Sequence, residues 1–427
     1  MFKKLGIFIF VLAVFLNTLF WALVIPYNDA PDEYTHFEVA RFIALNNRFP
    51  IFGQDENMGV SKYEKIGFRA YYNASYSSMP PLAYMVQALA IKIIPGMNEE
   101  NYFLSARISS VFLSIIFVLL VIKLSAVLFS KPLTQTTFAI FTLFIPQVTF
   151  TFSYVNSDAL ALVLSTTVFY WLVCFWQEKI KITGKNSLLF GVILGLTALT
   201  RYNAFVYFPL ALIVYLIKLK VVKNLKKRFK YLSIVILSFI LPSGWWYLRN
   251  LILYRDPLGT RKFWETIHML YPPENIGQNF YTLTYILFKT NWFWQNFKTF
   301  WAAFGWNYIL LPENFYRFLL LISFLAITGL LKKSNQEQPF SKKSLFLCLL
   351  LVSFSFLLSL WQSFKFAFQA QGRYFFPVLV PISFMVTAGL FGLSQKRWQQ
   401  TFIFLIISMG IMFLNIFSLF TLVSVYY

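Results

Sequence analysis

The sequence predicts an all-α, polytopic integral membrane protein with about eleven transmembrane helices, and three observations carry that reading. Of 427 residues, 58% are hydrophobic and only 12% charged, with 52 Phe, 24 Tyr and 12 Trp. Mean hydropathy is +0.63, which is more apolar surface than a soluble core would hide, so a bilayer must serve as solvent for much of the chain. The 37 Lys and Arg, which give a net charge of +21, lie in short strips between apolar runs. A nucleic-acid binder would gather them into one domain-sized patch, whereas strips between spans are what membrane orientation requires.

The first element is "MFKKLGIFIFVLAVFLNTLFWALVIP". It has the basic start of a signal peptide, but its apolar stretch is about the ~20 residues needed to cross a bilayer and has no small-residue cleavage site. It reads as an uncleaved first span. Apolar runs able to cross fall at 5–25, 103–122, 133–152, 158–176, 187–201, 204–219, 231–248, 317–331, 344–362, 374–394 and 400–424. The run "PPLAYMVQALAIKIIP" at 80–95 begins and ends with proline and carries Lys92, so it is expected to lie at the interface. Cys174 and Cys348 sit inside apolar runs, where they act as small hydrophobes and say nothing about redox compartment.

The positive-inside rule tests this topology. With Lys3 and Lys4 in the cytoplasm, the strips at 123–131, 177–185, 218–230, 332–343 and 395–399 all fall inside. That side then holds 20 of the 37 basic residues and only two acids, Glu178 and Glu337. Counting 80–95 as a span would turn the basic strip 218–230 outward, against the rule. The expectation is a plasma (inner) membrane protein, multi-pass with a cytoplasmic N-terminus, forming a single membrane-embedded domain over 1–427. Its two sizeable outer loops are expected at about 26–102 and 249–316.

In that topology the uncommon polar residues converge on the outer face. Asp32 and Glu33 follow helix 1, Asp158 starts helix 4, Arg201 lies between helices 5 and 6, Arg249 ends helix 7 and Arg373 starts helix 10. Ionisable groups at membrane depth are costly and mark candidate sites, although any one of them can simply end its helix at the water boundary. A carboxylate can take a proton from a hydroxyl, while guanidinium forks hold a phosphate and stabilise its developing charge. Acid plus arginine at the lipid boundary therefore suits a lipid-phosphate-activated donor whose tail stays in the bilayer. No P-loop, dinucleotide-binding glycine pattern or HExxH motif is present.

At these residues the chain resembles GT-C type glycosyltransferases, the class that uses polyprenyl-phosphate sugars and includes protein O-mannosyltransferases and the lipid A aminoarabinose transferase. It is closer still to a bacterial family of uncharacterised membrane proteins (DUF2142-like). The motifs are Asp32 and Glu33 in "PDEYTHFEVARFI", the proline stretch "SSMPPLAYMVQALA", Asp158 in "VNSDAL" and Arg201 in "LTRYNAF". Further ones are "WWYLRNLILYRDPLG" with Arg249 and Asp256, "FKTFWAAFGWNYILLP" with Trp301, Gly305 and Trp306, and "QGRYFFPVLVP" with Arg373. The resemblance covers residues 1 to about 380. It implies sugar transfer from a polyprenyl-phosphate-linked donor to a glycan, lipid or protein acceptor outside the cell, with membrane lipids and no nucleic acid as partners. Some members carry Glu or His just before the proline stretch, where this chain has Ser77, Ser78 and Met79. No cofactor is therefore implied with certainty, and a divalent metal stays open.

Within this reading Asp32 is the expected general base with Glu33 as its alternative, and Asp158 orders the base or Arg201 through an ion pair. Arg201, Arg373 and then Arg249 are the phosphate candidates. His36, spaced to share a helical face with Asp32 and Glu33, orients a carboxylate, joins a metal site or is structural. Asp29 and Glu38 are expected to be hydrated loop carboxylates. The tryptophans Trp245, Trp246, Trp292, Trp294, Trp301 and Trp306 resemble an interfacial belt, with one or two able to stack on a sugar. "NAS" at 73–75 fits a glycosylation acceptor only in a secretory setting. The competing function, a transporter or lipid/polysaccharide flippase, predicts charges along a midplane path and paired repeats. The helix interiors here are nearly free of charge, with Arg107 and Lys365 as exceptions, which favours the enzyme.

Overall fold

The computed structural model describes residues 2–52, 54–55, 76–94, 102–261, 263–265, 282–332, 340–365, 368–394 and 396–427. The "NAS" site, much of the two outer loops and most of the strip at 332–343 lie outside the described residues.

The helices are α1 (Phe2–Val24), α2 (Glu33–Asn46), α3 (Leu82–Ile93), α4 (Tyr102–Leu128), α5 (Pro132–Leu143), α6 (Pro146–Thr151), α7 (Asp158–Trp176) and α8 (Gly184–Ala198). They continue with α9 (Tyr207–Leu219), α10 (Leu225–Tyr254), α11 (Leu283–Lys289), α12 (Trp292–Trp301), α13 (Glu313–Leu331), α14 (Lys342–Lys365), α15 (Leu379–Gly392) and α16 (Arg397–Tyr426). One small antiparallel hairpin, β1 (Ala303–Phe304) and β2 (Ile309–Leu310), interrupts an otherwise helical chain.

Among the described residues nine helical segments are long and apolar enough to cross a membrane. The other two runs expected as spans are shorter. The first is divided by Pro146, whose missing N–H ends one helix and begins the next, giving α5 and α6. The second, α8, has 15 residues, or about 22 Å of rise. α8 is held tightly by a small-residue face: a Cβ on Gly191 or Gly195 would fall 2.5 Å from a backbone oxygen of α10, Val235 O or Phe239 O.

Burial follows sequence character. α7 and α15 are apolar on every side and form the centre, as helices without a polar face must. α1, α10, α13 and α16 expose large apolar side chains such as Phe8, Leu241, Phe324 and Phe420, which a bilayer would solvate. The tryptophan-belt expectation fails for Trp246, Trp292 and Trp301, each at most 2% exposed. These rings fill the interior, and the Trp292 indole donates to Ser363 Oγ at 2.9 Å.

The two ends of the bundle differ in charge chemistry. At the basic end Lys218 pairs with Glu178 at 2.9 Å, Lys179 donates to Val127 O, and Lys332 donates to Leu393 O. At the other end α2 and α3 pack on the start of α4, fixed by Leu82 N donating to Leu199 O and Gln87 Nε2 to Asn156 O. The run at 80–95 is the helix α3 that follows Pro80 and Pro81.

Candidate active site

Asp32, Glu33 and Glu38, close together in sequence, pair with three different arginines. Glu33, fully buried, accepts from Arg107 Nε and Nη2 at 2.6 Å each and from the backbone N–H of Asn28 and Val155 at 3.1 Å. Arg107, 2% exposed, spends its remaining donors on Ala22 O, Ile25 O and Pro26 O, carbonyls at and just beyond the end of α1. All five of its N–H groups are used. This pair is a closed structural clamp, and Glu33 does not reach the cavity that Asp32 lines.

Asp32 precedes α2 in a left-handed conformation, φ 60° and ψ 12°, a region few non-glycine residues adopt. That backbone sends consecutive carboxylates in opposite directions. Glu33 turns to Arg107, while Asp32 Oδ2 pairs with Arg373 Nη2 at 3.0 Å. Glu38 pairs with Arg41 at 3.2 Å, so it is a buried partner instead of a hydrated loop acid.

Arg373 sits on a 3-10 turn, Gly372–Val378, that leads into α15. Gly372 is required there because a Cβ would lie 2.1 Å from Phe300 N, and its own N–H donates to Thr299 Oγ1 at 2.7 Å. α12 thereby fixes the turn that presents Arg373. Arg201 precedes a second 3-10 turn, Tyr202–Val206, and pairs with Asp158 at the start of α7. Asp158 is thus the partner that holds Arg201.

A cavity of about 640 Å³ joins these elements, and Asp32, His36, Tyr84, Arg201, Arg373 and Tyr374 line it. His36 Nδ1 is 2.9 Å from the Tyr84 hydroxyl, and Tyr76 meets the imidazole edge-on at 5.2 Å. Burial pushes the imidazole down to about 3 against the pull of Asp32, so His36 is neutral at physiological pH and serves as a hydrogen-bonding wall. Arg373 Nε is buried without a hydrogen-bond partner among the described residues, leaving one guanidinium donor in hand.

Arg249 is not brought to the cavity. It donates to Pro50 O at 2.6 Å and to Asn250 Oδ1, and its guanidinium stacks 4.5 Å over Trp246. Among the described residues no three of His, Cys, Asp and Glu are grouped as metal ligands. Asp32 and His36, the two ligand-type groups among the described lining residues, are engaged by Arg373 and Tyr84.

Sequence reasoning overlooked one wall of the cavity. Ser355, Ser359 and Gln362 line it from α14, and their i, i+4, i+7 spacing in "SFLLSLWQ" is a readable helical face.

The family described as "Predicted membrane protein (DUF2142)" matches residues 46–382. No curated protein sequence matches the chain. Among solved structures, an Archaeoglobus fulgidus oligosaccharyltransferase tethered to an acceptor peptide is 11% identical with a TM-score of 0.49, covering 97% of this chain. The chain spans only 55% of that protein's length. ArnT from Cupriavidus metallidurans bound to undecaprenyl phosphate is 13% identical with a TM-score of 0.41, covering 95% of this chain and 78% of its own.

Proposed function

This chain belongs to the DUF2142 family of predicted membrane proteins, and from the geometry of its cavity we propose that it is a membrane glycosyltransferase. It moves a sugar from a polyprenyl-phosphate donor to an acceptor hydroxyl by a single inverting displacement. The observation that carries the reading is one cavity, at the end of the apolar bundle, that holds one carboxylate and two guanidiniums.

The donor's prenyl tail remains among the lipid-facing helices while its phosphate meets Arg201 and Arg373. Asp32 takes the acceptor's hydroxyl proton as that oxygen bonds to the anomeric carbon. The bond from that carbon to the phosphate oxygen breaks, and its electron pair leaves with the phosphate, where the two guanidiniums stabilise the added charge. Asp158 holds Arg201 in place, and neutral His36 with Tyr84 forms the wall beside Asp32. The positive-inside rule assigns the basic end to the cytoplasm and this cavity to the extracytoplasmic side of the plasma membrane.

The test incubates purified protein with a panel of polyprenyl-phosphate sugars and follows release of the lipid phosphate. Wild type is expected to release it from at least one donor, and Asp32→Asn to be slower by roughly 10²- to 10⁴-fold, the span of a lost general base. No release from any donor, or undiminished release by the variant, would overturn the proposal.

A further inference from the structure

Resting on that reading of the site, we infer that the cavity carries a subsite for an uncharged, polyhydroxylated sugar, built on the Ser355, Ser359 and Gln362 face of α14 together with Gln371 and Asn203. All five line the same cavity as Asp32, Arg201 and Arg373.

The subsite is chemically distinct from the charged end of the cavity. Among the described lining residues the charged side chains are Asp32, Arg201 and Arg373, which the phosphate and the acceptor proton occupy. The α14 wall offers hydroxyls and amides, groups that donate and accept as sugar hydroxyls do.

A second observation points to a ligand. Ser359 is 4% exposed, and its Oγ has no hydrogen-bond partner among the described residues. Asn203 Nδ2 and Gln371 Oε1 are likewise buried and unpaired among them. Buried polar groups in folded proteins are nearly always satisfied; of the twenty buried side-chain atoms without a partner among the described residues, four belong to residues of this one cavity, these three and Arg373 Nε. A ligand that draws these side chains toward it breaks no internal bond. Gln362 is held only by a 3.3 Å bond from its Nε2 to Gln369 Oε1 among the described residues, so it too can turn to a sugar hydroxyl at little cost. Trp306 and Trp361 add half-exposed aromatic faces to the cavity lining.

A carboxylate or ammonium on the sugar would find no counter-charge on Ser355, Ser359, Gln362, Gln371 or Asn203 and would lose hydration without replacement there, while Lys365, whose Nζ lies 5.5 Å from the Trp361 ring, stands at the end of α14. The subsite therefore favours a neutral hexose-type unit over acidic or amino sugars.

The experiment measures the affinity of the full-length protein for three probes: a short polyprenyl phosphate, its hexosyl phosphodiester and its hexuronosyl phosphodiester. The hexosyl ester is expected to bind at least about tenfold tighter than the hexuronosyl ester. Ser359→Ala and Gln362→Ala are each expected to weaken hexosyl binding by about fivefold, the worth of one neutral hydrogen bond. Gln362→Lys should move the preference toward the hexuronosyl ester. If the bare phosphate binds but hexose adds nothing, or the hexuronosyl ester binds as well, the subsite is refuted while the phosphate site stands. If neither the bare phosphate nor the hexosyl ester binds, the phosphate reading fails and the subsite falls with it.

Discussion

Replacing Arg107 by methionine should destabilise the protein severely, because it opens a clamp that satisfies five acceptor contacts at once. The substitution leaves the Glu33 carboxylate, 0% exposed, with two backbone N–H donors in place of four. It also strips Ala22 O and Ile25 O of the Arg107 donor and leaves Pro26 O with only the Asp29 N–H at 3.4 Å. Breaking a buried ion pair from one side costs about 3–5 kcal/mol, mostly the penalty of the stranded charge. At about 2 °C per kcal/mol for a large domain, that is roughly 6–10 °C in thermal midpoint. The stranded charge is the main cost, so removing it as well should recover much of the loss. Glu33→Gln with Arg107→Met is expected to melt above Arg107→Met alone. Fluorescence-detected thermal unfolding in detergent reads both. A single variant within about 1–2 °C of wild type, or a double variant whose loss is the sum of the two singles, would refute a coupled clamp.

The buried imidazole sets a pH dependence. In the unfolded chain His36 titrates near 6.5, while in the fold it stays neutral down to about 3. Between those values the unfolded state binds the extra proton, so its stabilisation is complete above pH 6.5 and is lost as pH falls. From pH 7.5 to 5.0 the loss is about 2 kcal/mol, at ~1.4 kcal/mol per unit below 6.5. His36→Gln should flatten that part of the melting curve, and an unchanged slope would count against it. In packing, a Cβ on Gly389 would fall 2.0 Å from Ala326 O, whereas one on Gly410 meets no described atom within 4 Å. Gly389→Ala is therefore expected to destabilise the protein by about 2 kcal/mol or more, where overpacking has no room to relax, and so to lower the midpoint clearly. Gly410→Ala should be silent, and equal effects would contradict the α13–α15 contact.

Much of the site is legible in the sequence because the membrane reduces three dimensions to two ends. With the apolar runs counted and the basic strips assigned to one side, Asp32, Arg201 and Arg373 have to emerge at the other. Their closeness within that end is not legible, since lateral neighbours depend on which helices pack. The pairing of Glu33 with Arg107 is hidden for the same reason: 74 residues separate them, and spacing carries no signal at that range. The left-handed backbone at Asp32, which sends two adjacent acids opposite ways, has no mark in "PDEY". Buried Trp246, Trp292 and Trp301 read like a belt because an aromatic at a helix end has the same local sequence in either role. The α14 face is readable from its helical period, but Ser and Gln are weak signals beside arginines and carboxylates.

The most direct measurement is an experimental structure of the protein with a polyprenyl phosphate, the leaving lipid of the proposed reaction. The predicted result is a phosphate whose oxygens lie about 3 Å from nitrogens of both Arg201 and Arg373, with Asp32 facing the same cavity. A phosphate bound at the basic end, or one touching neither arginine, would contradict it.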